Sequence, residues 1–391
     1  MWSNMAKWIA TPQTLLRILL ILGYSGTQVS GNEHAKNLTR DLLSKYGSKD
    51  VIPVLNSSQP LHVTLRVLIG QIVEFDETRQ QLTLDIWRRL AWKDEYLVWN
   101  PDDYNGLQEM FIIPSDIWKP RLVLTENVRF DFSSVLTIEA NVQPSGHVNW
   151  YTPSMLKVTC KVHVLKFPFD TQHCNLTFLS WIYDVSRLDL FYFDDFDSKQ
   201  NVFSSNGVWQ LLGVDTHRYE KKYNCCAYPF AKVVYTLTLE RASNFYILSI
   251  LVPSVLLTMI TIMVFCMPPE SGEKISLGMS NLLAFILFQQ LISGNMAPQG
   301  DETPILNVYI FCMVVLGCVS IFASVYVLRL FHRSTDKPVP PLVIKVMTYI
   351  SRQKSDVTWK SIARTTDNAL FYLFLVASVI FILVTFAMLR A

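Results

Sequence analysis

Four apolar runs, each close to the roughly 20 residues that span the hydrocarbon core of a bilayer, lie in the C-terminal part of the chain. They occupy residues 247–267, 275–294, 305–330 and 370–389. The second run, ISLGMSNLLAFILFQQLISG, differs from the others because polar side chains recur within it. We predict transmembrane helices over residues 245–267, 273–295, 304–330 and 367–390.

A fifth and shorter apolar run, LLRILLILGY, lies near the N-terminus together with the basic residues Lys7 and Arg17. Its basic flank, short core and following small polar residues predict a secretory signal peptide over residues 1–30, rather than a fifth spanning helix. The N-x-S/T sequons all precede the first spanning run, which favours an extracellular N-terminal part. The predicted glycosylation sites are Asn37, Asn56 and Asn175.

The segment between the third and fourth spanning runs, residues 331–366, is rich in Lys and Arg. By the positive-inside rule this segment is cytoplasmic. We therefore expect a multi-pass protein of the plasma membrane with both termini extracellular. The formal net charge of +2 gives no sign of a nucleic-acid partner.

The predicted extracellular part, residues 31–242, has a period of two in its apolar positions. LHVTLRVLIG, QLTLDIWRRL and VVYTLTLER alternate apolar and polar side chains, and turn-forming stretches such as NPDDYNG separate such segments. This pattern predicts an all-β sandwich of about ten antiparallel strands. Trp87 lies on the polar face of its strand, and two explanations for this position remain. Either Trp87 packs under a loop, or it contacts a ligand or a partner subunit.

Two extracellular cysteines, Cys160 and Cys174, bracket the stretch CKVHVLKFPFDTQHC. Outside the cell a disulfide is favoured over a zinc site that would add His163 and His173. A 13-residue loop with FPFD at its tip resembles the signature of the Cys-loop receptors, the pentameric ligand-gated ion channels of animals. The resemblance implies the β-sandwich, an all-α transmembrane four-helix bundle, pentameric assembly and, if the protein is neuronal, a postsynaptic location.

A second pair of cysteines lies in YNCCAYPF. This stretch resembles the tip of the binding loop in nicotinic acetylcholine receptor α-type subunits. The resemblance implies a disulfide between Cys225 and Cys226 and the principal face of an agonist site between subunits. Two free thiols and a redox-active pair are the alternatives.

The family resemblance also implies an aromatic site for a small ammonium or amine agonist, because aromatic faces attract cations. Its two faces would come from neighbouring subunits. The matching residues are Trp181, Tyr183, Tyr223, Tyr228 and Phe230 on the principal face, Trp87, Arg89, Asn149 and Tyr151 on the complementary face, and the acidic stretch DDFD at 194–197 at the edge.

The stretch WKPRLVLTEN departs from the nicotinic pattern. Arg121 stands where the family usually has Asp, and Thr125 stands where nicotinic α subunits have Tyr. Thr125 and Glu126 are more similar to the arrangement in serotonin-gated channels. The candidates for the agonist are therefore acetylcholine, a primary amine, another cation and an unorthodox ligand.

The polar side chains of the second apolar run fall on one stripe of a helix, since they are spaced by four and three residues. Five copies of this stripe would line a pore, and Glu273 would form a ring of carboxylates that favours cations. Lys274, the next residue, should point away from the axis, and Gly294 departs from the acid often found there in nicotinic channels. The predicted pore residues are Glu273, Ser276, Ser280, Leu283, Leu287, Gln290 and Gly294.

Coupling between the extracellular and membrane parts is implied by the same resemblance. Arg241 would pair with Glu77, and the loop tip would press on the segment after the pore helix. The predicted coupling residues are Glu77, Phe167, Pro168, Phe169, Asp170, Arg241 and Pro298.

The partners expected for this chain are the agonist, membrane lipid and further subunits. Because both faces are represented in one chain, we expect a homopentamer, with a heteropentamer as the alternative. An accessory subunit, or a receptor with an unorthodox ligand and no channel activity of its own, also stays open. No motif in the sequence predicts a cofactor, a metal site or an enzyme.

Overall fold

The computed structural model describes residues 31–128, 138–193, 206–294, 303–334, 339–341 and 358–390. The predicted signal peptide, the acidic stretch 194–197, Pro298 and most of the predicted cytoplasmic segment lie outside these residues. Within them the chain forms a β-sandwich followed by four long apolar helices. The predicted fold class is confirmed, but not every strand pair is antiparallel, because residues 61–65 pair in parallel with residues 188–192.

Ten strands form the sandwich. They follow a helix, α1 (Gly31–Lys45), which the sequence reasoning did not anticipate. The strands are β1 (Leu61–Asp76), β2 (Gln81–Val98), β3 (Met110–Ile112), β4 (Leu122–Leu124), β5 (Ala140–Val142), β6 (Ser145–Thr159), β7 (Thr171–Ser180), β8 (Leu188–Tyr192), β9 (Trp209–Lys221) and β10 (Phe230–Arg241).

The strands make two sheets. One has the order β3-β5-β6-β2-β1-β8, and the other has the order β4-β7-β10-β9. Alternate residues of each long strand point inward, as period-two patterning requires, so that in β2 the side chains of Leu82, Leu84 and Ile86 are fully buried. The apolar faces of the two sheets form one continuous core.

The membrane part consists of α2 (Asn244–Cys266), α3 (Lys274–Gly294), α4 (Ile305–Phe331) and α5 (Trp359–Arg390). A π-helical turn at Ile247–Leu251 interrupts α2 just before Pro253, whose ring cannot donate a backbone hydrogen bond. Helix α5 starts at Trp359, earlier than the predicted residue 367. The exposed side of its first two turns is polar, whereas Trp359 and Ile362 are buried. The apolar run alone therefore underestimated this helix.

Cys160 and Cys174 form the predicted disulfide, with Cα atoms 5.2 Å apart. This bond uses both sulfurs that a zinc site would need, so the zinc alternative is excluded here. The loop that the bond closes inserts Phe167 among apolar side chains of the membrane helices. The Ile305 N–H at the start of α4 also donates to the Leu165 carbonyl of this loop (3.1 Å).

Candidate functional site

The turn after β7 presents the tryptophan predicted for the principal face. The Tyr183 N–H donates to the Ser180 hydroxyl (3.0 Å), which turns the chain at the end of the strand. Trp181 sits in this turn with 70% of its surface exposed. Ile182 beside it is also exposed, and this exposed apolar surface is available to a ligand or a neighbouring subunit.

The loop between β9 and β10 brings further aromatic side chains to the same end of the smaller sheet. The rings of Tyr223 and Phe230 meet edge to face at 5.8 Å. The Val185 N–H donates to the Pro229 carbonyl (3.0 Å), which ties this loop to the segment that follows Trp181. Tyr228 is exposed at the loop surface. The structure thus gathers the predicted aromatic residues of the principal face around two adjoining loops.

Cys225 and Cys226 differ from the prediction, because in this structure both are free thiols and not a disulfide. Consecutive Cα atoms lie about 3.8 Å apart, closer than a relaxed disulfide prefers, so the bond would require local distortion. A hydrogen bond with Cys225 raises the pKa of Cys226. A raised pKa keeps the thiol protonated and does not favour the redox-active alternative. Oxidation of the pair stays a prediction.

Two lysines that the sequence reasoning missed lie against the principal face. The ammonium of Lys232 is 5.5 Å from the centre of the Tyr223 ring, and that of Lys221 is 5.4 Å from it. Lys232 is buried on β10. The signal was available in the sequence, since a lysine only two residues after Phe230 is bound to lie near the aromatic loop. Both ammonium groups thus lie at the ring of Tyr223, where an external cation would otherwise bind.

The complementary residues lie on the other sheet, where β2 pairs with β6. Trp87 stands opposite Pro153, and Arg89 stands opposite Tyr151. The Arg89 guanidinium donates to the Asn149 side-chain oxygen (2.8 Å) and lies over the Tyr151 ring (5.3 Å). Trp87 is 48% exposed, so the described part of the chain leaves much of its surface uncovered.

A cavity of about 630 Å³ opens beside Trp87. Its lining carries more positive charge than the sequence reasoning anticipated, because Arg66 and Arg88 join Arg89. Burial lowers the pKa of Arg88, whose Nε bonds to the Thr152 hydroxyl (3.3 Å). The cavity is lined by Arg66, Leu68, Trp87, Arg88, Arg89, Ile138, Tyr151, Thr152 and Pro153.

The principal and complementary residues do not meet within one chain. The first set borders the sheet that contains β7 and β10, whereas the second set lies on β2 and β6 of the other sheet. Among the described residues, none of the predicted principal side chains lines the cavity beside Trp87. A site that uses both sets therefore requires two copies of this chain, or this chain and another subunit.

Thr125 and Glu126 have structural contacts within the chain. A Glu126 carboxylate oxygen accepts from the Thr177 N–H (2.8 Å), and the Glu126 carbonyl accepts from the Thr159 N–H (2.8 Å). The Glu126 carboxylate is therefore already engaged. Thr125 is exposed and remains available to a ligand.

Helix α3 exposes the whole stripe that was predicted to line a pore. Its opposite side is buried, and there Asn281 donates to the Thr261 hydroxyl of α2 (2.8 Å). Glu273 is exposed immediately before the helix, and its carbonyl accepts the first helical bond from Leu277 (3.0 Å). The exposed stripe comprises Ser276, Ser280, Leu283, Leu287, Gln290 and Gly294.

Lys274 points to the buried side of α3, where it pairs with Asp367 of α5. The sequence reasoning missed this partner, although an acidic residue at the edge of an apolar run is a recognisable signal.

The end of β10 carries a buried ion-pair cluster. The Arg241 guanidinium donates to both oxygens of Glu77 (2.6 and 2.8 Å) and to both oxygens of Asp170 (2.7 and 3.0 Å). Burial lowers the pKa of Arg241, but the two carboxylates outweigh this effect and raise the pKa overall. The predicted partner Glu77 is thus in place, and Asp170 adds the disulfide loop to the same cluster.

Arg241 also joins the sandwich to the membrane helices. Its guanidinium lies 4.9 Å from the centre of the Phe167 ring and 5.3 Å from that of Tyr246 in α2. Pro168 is buried beside Phe167, whereas Phe169 is 39% exposed. The predicted contact of this loop with Pro298 lies outside the described residues.

The three predicted glycosylation asparagines are exposed. Asn37 lies on α1, and Asn56 lies in the segment before β1. The Asn175 side-chain oxygen accepts from the Thr236 hydroxyl (2.9 Å) on the neighbouring strand. Glycan attachment at these positions stays a prediction.

Comparison with known proteins gives matches to both parts of the chain. The model of the neurotransmitter-gated ion-channel ligand binding domain matches residues 35–243, and that of the neurotransmitter-gated ion-channel transmembrane region matches residues 250–353. The chain is 34% identical to the neuronal acetylcholine receptor subunit alpha-9-II of Oncorhynchus mykiss over 82% of its own length and 58% of the relative's.

Two further relatives show similar identity. The neuronal acetylcholine receptor subunit alpha-9 of Homo sapiens is 34% identical over 83% of this chain and 68% of the relative. The neuronal acetylcholine receptor subunit beta-3 of Rattus norvegicus is 33% identical over 84% of this chain and 73% of the relative. With its ten-strand sandwich, its disulfide loop and its four apolar helices, the chain belongs to the neurotransmitter-gated ion-channel family, as a subunit similar to those of nicotinic acetylcholine receptors.

Proposed function

We propose that this chain is a subunit of a cation-selective channel that opens when a small ammonium or amine agonist binds between subunits. The observation that carries the proposal is the stripe of α3, which is exposed along its whole length although the opposite side of the helix is packed. A helix that faced only lipid would have no use for Ser276, Ser280 and Gln290 on its exposed side. We further propose a homopentamer in the plasma membrane, with both termini extracellular.

The permeant ion follows from charge at one end of the stripe. Glu273 precedes the first turn of α3, and five copies would surround the pore with carboxylates. Leu283 and Leu287 are apolar and exposed. In five copies they would form two rings that close a narrow pore by excluding water. Gating then requires these rings to separate.

The agonist class follows from the exposed aromatic side chains of the two half-sites. A cation between Trp181 of one subunit and Trp87 of the next would gain about 0.5–2 kcal/mol from each favourable aromatic face. The agonist would favour opening by binding the open arrangement more tightly than the closed one. The Arg241 cluster supplies a direct path from β10 to α2.

A second function is favoured by one observation, namely the positive charge on both half-sites. Lys221 and Lys232 border the principal face, and three arginines line the complementary cavity. These charges repel a simple cation. They therefore support the alternative of an accessory subunit whose partner provides the working face, or of a receptor with an unorthodox ligand.

Recording from cells that express this chain alone tests the proposal. Acetylcholine, choline, serotonin and other amines would be applied, with surface pentamers verified in parallel. We expect an inward current whose reversal potential follows the cation gradient. Trp181→Ala should abolish this current without loss of surface protein. Glu273→Ala should weaken cation over anion selectivity. Silence from verified surface pentamers would instead support the second function.

A further inference from the structure

The cytoplasmic end of α3 carries a buried lysine beside the proposed selectivity ring. Lys274 is fully buried, and its ammonium donates to both carboxylate oxygens of Asp367 on α5. It also approaches the Met267 carbonyl at 3.5 Å and lies 5.4 Å from the centre of the Phe265 ring. The described contacts of the lysine thus include one full counter-charge, which comes from a different helix.

This lysine directly follows Glu273, so the two opposite charges are one residue apart. Glu273 is exposed, whereas the side chain of Lys274 points to the opposite side of the helix. Without a counter-charge, the lysine would cancel much of the field of Glu273 at the mouth of the pore. Burying an unpaired ammonium is also costly, and therefore an unpaired Lys274 would tend to extend its flexible chain toward water.

We propose that Asp367 is a specificity-determining positioning residue, which neutralises Lys274 so that the ring at Glu273 keeps its negative charge. The proposal rests on the cation-selective channel proposed above. Glu273, Lys274 and Asp367 together leave one net negative charge per subunit. Without Asp367 the sum is zero, and five subunits would surround the pore with no net charge.

A second ion pair at the same end provides a control. Arg364 lies one turn before Asp367 on α5 and bonds to Glu270 at 2.7 Å. Both members of that pair are exposed, with 65% and 45% of their side chains accessible. Water and salt screen exposed charges, and as a result this pair should contribute little to the field at the pore.

The test measures sodium-over-chloride permeability from reversal potentials. All variants would carry Leu283→Thr, because a polar side chain in the apolar gate should allow current without an identified agonist. Asp367→Asn should lower the permeability ratio about threefold, the order expected of one screened charge per subunit near the axis. Asp367→Asn combined with Lys274→Met should restore the ratio, and Arg364→Gln should leave it unchanged.

These variants separate electrostatics from folding. If Asp367 only held the helices together, the double variant would be as defective as Asp367→Asn, and that result would overturn the inference. An unchanged ratio in Asp367→Asn would overturn it as well. A parental channel without cation selectivity would instead count against the proposed function.

A measurement that needs no current covers variants that conduct poorly. In purified full-length pentamers that carry Ser276→Cys, this position would be labelled with methanethiosulfonate reagents of either charge, and the labelling would be quantified at that peptide. The ratio of cationic to anionic labelling rates reports the local potential. It should fall several-fold in Asp367→Asn and recover in the double variant, whereas an equal ratio in all variants would refute the role of Asp367.

Discussion

The ion-pair cluster at the end of β10 gives the sharpest prediction for gating. Glu77→Gln keeps the size of the side chain but removes its charge and one of the two acceptors that face Arg241. Asp170 remains bonded to Arg241, so the guanidinium keeps one counter-charge and the fold should survive. The change therefore weakens the link between the β1–β2 turn and the start of α2 without leaving Arg241 unpaired.

The magnitude follows from the geometry of this pair. Both bonds from Arg241 to Glu77 are short, at 2.6 and 2.8 Å, and only 16% of the Glu77 side chain is exposed. Charge-assisted hydrogen bonds with this limited exposure contribute about 2 kcal/mol. If the pair is fully made only in the open arrangement, its loss shifts the opening equilibrium by up to about 30-fold, at about 1.4 kcal/mol per tenfold.

The assay is the agonist concentration for half-maximal current, with surface receptor counted in parallel. We expect Glu77→Gln to raise that concentration by up to about 30-fold. Glu74→Gln is the matched control, since Glu74 is exposed on the same strand. A normal concentration with fewer surface receptors would refute the reasoning, because the pair would then stabilise both arrangements equally.

Two further predictions concern charges inside the sandwich. Lys232→Met removes a positive charge about 5.5 Å from the Tyr223 ring. If the agonist is a cation, this change should lower the agonist concentration for half-maximal current about fivefold. Lys222→Met is the control, and an unchanged or higher concentration in Lys232→Met would contradict the prediction. Burial raises the pKa of Asp94 to about 6 despite its bond from the Tyr46 hydroxyl. The folded state therefore holds this proton more tightly than the unfolded state, and the free energy of unfolding should fall by about 3 kcal/mol in total as pH rises from about 3 to about 7. Thermal unfolding of purified receptor should show that slope relative to Asp94→Asn, and parallel curves would exclude it.

Features set by local periodicity were predictable from the sequence. The alternation in QLTLDIWRRL placed Leu82, Leu84 and Ile86 inward and left Trp87 outside, as the structure shows. The spacing of Ser276 and Ser280 likewise predicted which side of α3 stays exposed. In each case the residues that decide the outcome lie within a few positions of one another.

Features that depend on distant partners were not predictable in this way. Lys274 was expected to turn away from the axis. Asp367 at the edge of an apolar run was recognisable as a candidate partner for some buried charge, but nothing in the sequence joined it to Lys274, 93 residues earlier. Tyr46 and Asp94, 48 residues apart, meet in the core for the same reason. The contact between Asp170 and Arg241 was not predicted, because periodicity describes one element at a time. This contact depends on how three elements pack.

The buried ion pairs occupy the two ends of the membrane part, and this placement bears on their role. A buried pair adds little net stability compared with apolar residues of similar size, because desolvation offsets the attraction. Stability alone therefore does not explain Arg241 between two carboxylates at one end or Lys274 against Asp367 at the other. At one end the Arg241 cluster joins β10 to α2. At the other end the pair of Lys274 and Asp367 would set the charge beside the proposed pore. Each pair can thus be tested by a functional measurement that a purely structural contact would leave unchanged.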